Sequence, residues 1–184
     1  MGVSSSSDSD THVENIISLI NGHVKTGFQF DMEKPISETE EYYISNPAEE
    51  DKAQCIIFMF DGSKPINADV KHLQDIGKLS KALYKSGIPR IAVLTKVDLL
   101  CSHVKSDIAK IYHSKAVKNK INDLSEVTGI PVANIHPIKN YTEEHCVDHM
   151  MDIPILIALQ KAFDFANDYL EQQQARRCIV QKQK

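Results

Sequence analysis

The sequence predicts an α/β domain built around a parallel sheet, from two observations. Three apolar runs rich in β-formers alternate with segments of helical periodicity, in the order strand, helix, strand, helix, strand, helix. The runs are apolar without alternation, which is typical of strands covered on both faces. Helical crossovers between such strands give parallel pairing with right-handed connections. We therefore expect a three-layer α/β fold that binds its ligands at the carboxyl ends of the strands.

The strands are predicted from Ala53 to Phe60, over residues 88–94 and over residues 130–136. The first ends in the turn signal Asp61-Gly62-Ser63. Apolar residues three or four apart predict helices over residues 13–23, 67–86, 106–128 and 150–172. Gly22, Gly87 and Gly129 stand where the first three helices should end.

Composition limits the class of protein. The 184 residues suffice for one domain with a sizeable core, and 42% hydrophobic with 25% charged residues is ordinary for a soluble globular protein. A net charge of −4 argues against a nucleic-acid binder. Four dispersed cysteines suit a reduced, cytoplasmic protein, and no apolar run approaches the length of a membrane span. We expect a polar N-terminal segment (1–12), one domain (13–172) and a polar basic tail (173–184).

The strongest motif is Thr95-Lys96-Val97-Asp98, directly after the second strand. In GTP-binding domains a strand that ends in this pattern selects guanine, because the Asp carboxylate accepts hydrogen bonds that adenine cannot donate. The loop at Lys139 and Asn140 follows the third strand and would flank the same base. We therefore predict a guanine site formed by Thr95, Lys96 and Asp98, with Lys139 and Asn140 beside it.

Plainer interpretations exist for each candidate. Asp98 could simply cap a helix, and the Lys139-Asn140 loop could be an ordinary turn.

No G-x-x-x-x-G-K-[ST] phosphate-binding loop is found in the 184 residues. His145, Cys146 and His149 lack the second ligand pair that structural zinc needs, which favours a solvated loop. Met1-Gly2 fits an acylation signal without the basic residues of a second membrane anchor.

Several pieces of sequence, taken in order, resemble the interferon-induced protein 44 and 44-like family. The resemblance runs over about residues 1–172, and its pieces are Gly22-His23-Val24-Lys25, Cys55 to Phe60, Gly87-Ile88-Pro89, Val93 to Asp98, Gly129-Ile130-Pro131, Pro137 to Tyr141 and Asp152 to Leu159.

The resemblance implies a cytoplasmic, GTP-binding protein of the interferon and antiviral response, with a P-loop NTPase-like fold. It also implies Mg²⁺, but the P-loop half of that fold and its magnesium ligands would be missing here. Met1-Gly2 would then be the remnant of a switch region instead of an acylation site. We accordingly expect weak binding of GTP or GDP and no hydrolysis. Two alternatives stay open: a nucleotide-free module that binds protein partners through an open sheet edge from Ala53 to Phe60, and a truncated product without independent function.

Overall fold

The structure is a computed structural model that describes residues 9–31, 34–66 and 70–182. The chain divides into two compact units. The first comprises Met1–Ala53 and Asp69–Ile88, and the second comprises Gln54–Ala68 and Pro89–Lys184. The helices are α1 (Ser9–Ile20), α2 (Val70–Ser86), α3 (Val97–Leu100), α4 (Ser102–Ser106), α5 (Lys115–Thr128) and α6 (His149–Lys182).

Three strands form a parallel sheet in the second unit, as the sequence predicts. They are β1 (Ile56–Asp61), β2 (Arg90–Thr95) and β3 (Ile135–Pro137), in the order β1-β2-β3. Asp61 lies opposite Thr95, and Leu94 lies opposite Pro137. The carboxyl ends of all three strands therefore meet at one edge of the sheet.

Helices cover both faces of this sheet in the second unit. On one face, Ala92 and Leu94 of β2 join a buried cluster with Val104 of α4 and with Val117 and Leu124 of α5. On the other face, a second cluster is formed by Ile91, Val93, Ile138, Ala158 and Ala162. The alternation of β2 side chains between these clusters explains why its sequence is apolar at every position.

The first unit is built on α1 and α2, which contact each other. Their buried apolar residues recur at helical spacing: Val13, Ile16 and Ile20 on α1, and Ile76, Leu79 and Leu83 on α2. Gly22 follows α1 with φ +82°, the left-handed conformation expected of a residue that ends a helix. The predicted end of this helix is confirmed to within three residues, and its start lies earlier, at Ser9.

The single helix predicted over residues 106–128 is wrong. A 3₁₀ turn from Ile108 to His113 separates α4 from α5. Asp107 accepts a hydrogen bond from the Ala109 N–H, and Ser114 accepts one from the Val117 N–H. Side chains of this type satisfy the free N–H groups of a helix start, so each of them begins a new segment.

The third strand is shorter than predicted. Residues Val132–Asn134 form a 3₁₀ turn after Pro131, and only Ile135–Pro137 pair with β2. The last helix is longer than predicted and continues to Lys182, because the Gln, Ala and Arg residues after position 172 are good helix formers and no glycine or proline follows that position within the helix. Within the described residues no helix combines the length and apolarity that a membrane crossing requires.

Candidate functional site

The predicted motif begins at the end of β2, where Thr95 is buried at 8% exposure. Its Oγ1 donates a hydrogen bond to the carbonyl oxygen of Phe60 at 3.0 Å. The hydroxyl is thus used to join β2 to β1. Thr95 acts as an anchor for the motif, and its side chain points to the neighbouring strand.

Lys96 turns the chain from β2 into α3. Its φ of 55° is in the left-handed region, the only such value among the described residues that are not glycine. This conformation costs a residue with a Cβ on the order of 1 kcal/mol. The Lys96 Nζ lies 2.8 Å from Oδ2 of Asp61, the last residue of β1. The hydrogen bond from Lys96, helped by Ser63, lowers the pKa of Asp61 to about 2.

Gly62 brings the turn after β1 against the end of β2. Its N–H donates to the Thr95 carbonyl at 2.8 Å. A Cβ at this position would lie 2.6 Å from that same carbonyl oxygen, closer than real Cβ contacts. Only glycine therefore fits here without moving the backbone that carries the motif.

The loop after β3 is tied to the motif through its backbone. The Ile138 N–H donates to the Leu94 carbonyl at 2.8 Å, and the Val97 N–H donates to the Ile138 carbonyl at 3.4 Å. These two bonds join the loop that carries Lys139 to the start of α3, where Asp98 is half-buried and acts on the charge of Lys139. The two predicted loops therefore form one continuous surface.

Lys139 is held by an acidic residue that follows it in the same loop. Its Nζ lies 2.6 Å from Oε1 of Glu144. This hydrogen bond is the main reason that the pKa of Lys139 is raised, and the negative charges of Glu144, Asp98 and Asp148 add to it. Lys139, together with the Thr142 N–H, lowers the pKa of Glu144 to about 2.

The structure places Thr95, Lys96, Asp98 and Lys139 at one edge of the sheet, in the loops that follow β2 and β3. Asn140 is exposed on the same loop. The result is a surface with two ammonium groups, each of which is paired with an acid, and with a half-buried carboxylate, Asp98, whose charge acts on Lys139.

Two residues of this surface, Asp61 and Glu144, were not predicted. In the sequence, Asp61 is part of the turn signal that ends the first strand. Its position could have been predicted, because the last residues of adjacent parallel strands lie side by side. Asp61 ends β1 and lies opposite Thr95, which ends β2. Glu144 carries no comparable signal, since its place depends on how the loop folds back to Lys139.

A metal site is not formed by the acidic, histidine and cysteine side chains of this region. Among residues 9–31, 34–66 and 70–182, no three such groups come together in a geometry that could hold an ion. His145, Cys146 and His149 are exposed in the segment before α6 and at its start.

Comparison with known proteins places the chain beside interferon-induced proteins. It is 33% identical over 164 residues to mouse interferon-induced protein 44, covering 87% of this chain and 38% of the relative. It is 27% identical over 158 residues to the human protein of that name, covering 86% of this chain and 36% of the relative. Human interferon-induced protein 44-like is 27% identical over 171 residues, covering 93% of this chain and 38% of the relative.

The chain therefore spans little more than a third of the length of the curated relatives it matches. No family model matches it. No solved structure matches it significantly.

Proposed function

The chain belongs to the interferon-induced protein 44 and 44-like family, and from that premise and the site geometry we propose that it binds guanine nucleotides. In this proposal the parallel sheet is the base-binding part of a P-loop NTPase-like fold. The setting is a cytoplasmic one, in the interferon and antiviral response.

The observation that carries the proposal is the joining of two loops at the carboxyl ends of β2 and β3. The backbone bonds of Ile138 to Leu94 and Val97 hold Asp98 and Lys139 on one surface. Ligands of parallel α/β sheets bind at this edge. A motif that selects guanine and a second loop beside it are the two parts that a base pocket requires.

Asp98 would give the pocket its selectivity. Its carboxylate would accept hydrogen bonds from N1–H and from the 2-amino group of guanine. Adenine has neither donor at these positions, so it would leave the carboxylate unpaired. Each hydrogen bond to a charged group contributes roughly 1.5–3 kcal/mol, so the loss of Asp98 would remove most of the affinity.

The two lysines would border the base. The Lys96 stem, held at its tip by Asp61, would lie along one face of the purine and shield it from water. Lys139 and Asn140, in the loop after β3, would lie on the other side of the purine. Thr95 would act only through the backbone, because its hydroxyl is bonded to Phe60.

Affinity should be weak, and hydrolysis should be absent. Phosphates are usually bound by loop amides at a helix N-terminus, which the P-loop pattern supplies and the 184 residues lack. The described residues also form no cluster that would hold Mg²⁺. The base contacts alone would therefore carry the binding.

The test is equilibrium binding of fluorescent GDP and GTP to the purified chain, with unlabelled GDP and ATP as competitors. We expect GDP to displace the probe and ATP to leave it bound. Asp98→Ala should abolish binding, while Asp123→Ala, an exposed carboxylate on α5, should leave it unchanged. Equal displacement by ATP, or full binding by the Asp98 variant, would refute the proposal.

A second candidate function follows from the outer edge of β1, which no described strand pairs. On one face of this edge strand, Met59 is 61% exposed and Ile57 is 39% exposed, although the strand is as apolar as the covered β2. Exposed apolar edges invite another strand. The partner in this candidate is an extended apolar segment of another protein.

Binding of immobilised apolar peptides to the chain tests this candidate. Met59→Lys should weaken binding at least tenfold, because a charged side chain on an edge strand opposes pairing. Val132→Lys, at an exposed site away from β1, is the control. Equal binding by wild type and Met59→Lys would exclude the candidate.

A further inference from the structure

The segment that runs from α4 into α5 is basic, although the chain as a whole is acidic. Residues 102–122 hold five lysines and one aspartate, so their formal net charge is +4. The whole chain carries −4, and the residues outside this segment therefore carry −8 together. A local excess of one sign of charge attracts partners of the opposite sign.

The basic residues lie on one outer layer of the second unit. Val104 of α4, Ile111 of the 3₁₀ turn and Val117 of α5 are buried in the cluster that covers one face of the sheet. Four lysines and a tyrosine near these anchors are exposed, and they are here called the basic patch: Lys105, Lys110, Tyr112, Lys115 and Lys118. Lys115 and Lys118 are three positions apart, so they lie on the same side of α5.

The two helices that carry the patch are joined where they start. Cys101 precedes α4, and Ser114 precedes α5. A hydrogen bond between their side chains is the main reason that the pKa of the Cys101 thiol is lowered. Both helices also contact the 3₁₀ turn between them. The patch is therefore carried by folded backbone, so a partner does not have to order it on binding.

Acidic residues of the chain compensate little of this positive charge. Lys110 lies 3.4 Å from Oδ2 of Asp107, and both side chains are about half exposed. In the part of the chain that the structure describes, no carboxylate forms an ion pair with Lys105, Lys115 or Lys118. These three ammonium groups are therefore available to an external anion.

The kind of anion follows from the extent of the patch and the charge around it. Nucleic acids gain affinity when many phosphates are neutralised along a positive track. The patch spans only residues 105–118, and the charge of −8 on the rest of the chain would repel a longer polyanion. A short run of carboxylates would meet the patch alone. Tyr112 is 59% exposed among the lysines, so it offers a ring to an apolar side chain of the same partner.

We propose that the basic patch is a docking surface for a short acidic segment of another protein, in which carboxylates flank an apolar residue. The carboxylates pair with Lys105, Lys115 and Lys118, and the apolar residue lies on Tyr112. No residue of the patch belongs to the proposed guanine site. The proposal therefore does not depend on nucleotide binding.

Fluorescence polarisation of a labelled peptide tests the proposal on the full chain. The peptide consists of glutamates around a single leucine. The combined variant Lys110→Glu, Lys115→Glu and Lys118→Glu should weaken binding at least about tenfold, because repulsion replaces attraction at three positions. Exchange of the leucine for alanine should weaken binding to the wild type and leave binding to Tyr112→Ala unchanged.

A matched control separates the patch from the effect of net charge. Lys78→Glu, Lys81→Glu and Lys85→Glu reverse three exposed lysines of α2, so they change the net charge by the same amount. This control variant should bind the peptide as the wild type does. Circular dichroism should show that both variants are folded, because all the substituted side chains are exposed. Undiminished binding by the patch variant, or an equal loss in both variants, would overturn the proposal.

Further measurements distinguish the possible occupants. Binding of the acidic peptide should weaken as sodium chloride is raised, because salt screens charges at an exposed surface. Tighter binding of a single-stranded oligonucleotide, or of phosphatidylserine vesicles, would assign the patch to another class of anion and overturn the proposal. Self-association of the chain that the patch variant abolishes would also overturn it, since a second copy would then be the occupant.

Discussion

The ammonium of Lys96 lies 2.8 Å from the carboxylate of Asp61, so the ends of two adjacent strands are joined by an ion pair. The lysine belongs to the predicted motif, and the aspartate belongs to the turn after β1. The left-handed backbone at Lys96 directs its side chain toward this neighbour. The backbone turn and the ion pair therefore hold the start of the motif in place through contacts within the chain.

A double-mutant cycle measures this pair. Asp61→Asn, Lys96→Met and the combined variant should give a coupling free energy of about 0.2–1 kcal/mol in urea unfolding, because Lys96 is half exposed and water screens the charges. Asp61 also accepts hydrogen bonds from Ser63, and the cycle separates the effect of losing those bonds from the coupling between Asp61 and Lys96. A coupling of zero would mean that the pair does not persist in solution.

Stability should fall in acid because two carboxylates are stabilised in the folded state. The pKa values of Asp61 and Glu144 are each lowered to about 2 by their lysine partners. These two carboxylates contribute their full share of the free energy of unfolding at pH values above their unfolded-state pKa values, which are near 4. That contribution is lost as the pH falls toward 2. Urea unfolding between about pH 5 and pH 2 should show this loss. Asp61→Asn with Glu144→Gln should flatten the profile, whereas an unchanged profile would contradict the assignment.

His136 should add a second dependence on pH, nearer neutrality. Burial lowers its pKa, and the positive charge of Lys161 lowers it further. The unfolded chain therefore takes up a proton below about pH 6.5 that the folded chain resists, and stability falls on acidification from that point. Thermal midpoints of wild type and His136→Gln measure it. His113→Gln, an exposed histidine, is the control, and a midpoint that rises on acidification would refute the sign.

Gly62→Ala should destabilise the second unit. The added Cβ would lie 2.6 Å from the Thr95 carbonyl oxygen, so backbone must move, at a cost of about 1–3 kcal/mol. Gly77→Ala is the matched control, because its Cβ would meet nothing within 4 Å inside α2, and it should stabilise by about 0.5–1 kcal/mol. Chemical unfolding compares them. Equal stability of the two variants would contradict the close approach.

Much of the sheet could be predicted from local pattern. The apolar runs identify β1 and β2, and parallel connections bring Thr95, Lys96 and Lys139 to a common edge. The pairing of Lys96 with Asp61 could not be predicted in the same way, because it requires knowing which strands are neighbours and which way Lys96 turns.

The boundaries of two helical segments could not be predicted from the sequence pattern either. A continuous apolar period did not reveal the breaks at Asp107 and Ser114, since capping side chains act locally without changing that period. The polar residues after position 172 predict a tail, whereas their intrinsic helix propensity continues α6 to Lys182.

The long final helix also gives the chain a rigid site for attaching a probe. Residues 173–182 extend α6 by about 15 Å past its predicted end, and residues 174–179 are exposed. Cys178 lies in that stretch as a free thiol. A fluorophore attached there would be carried by a continuous helix instead of a swivelling loop, so its polarisation would report the tumbling of the body to which α6 belongs.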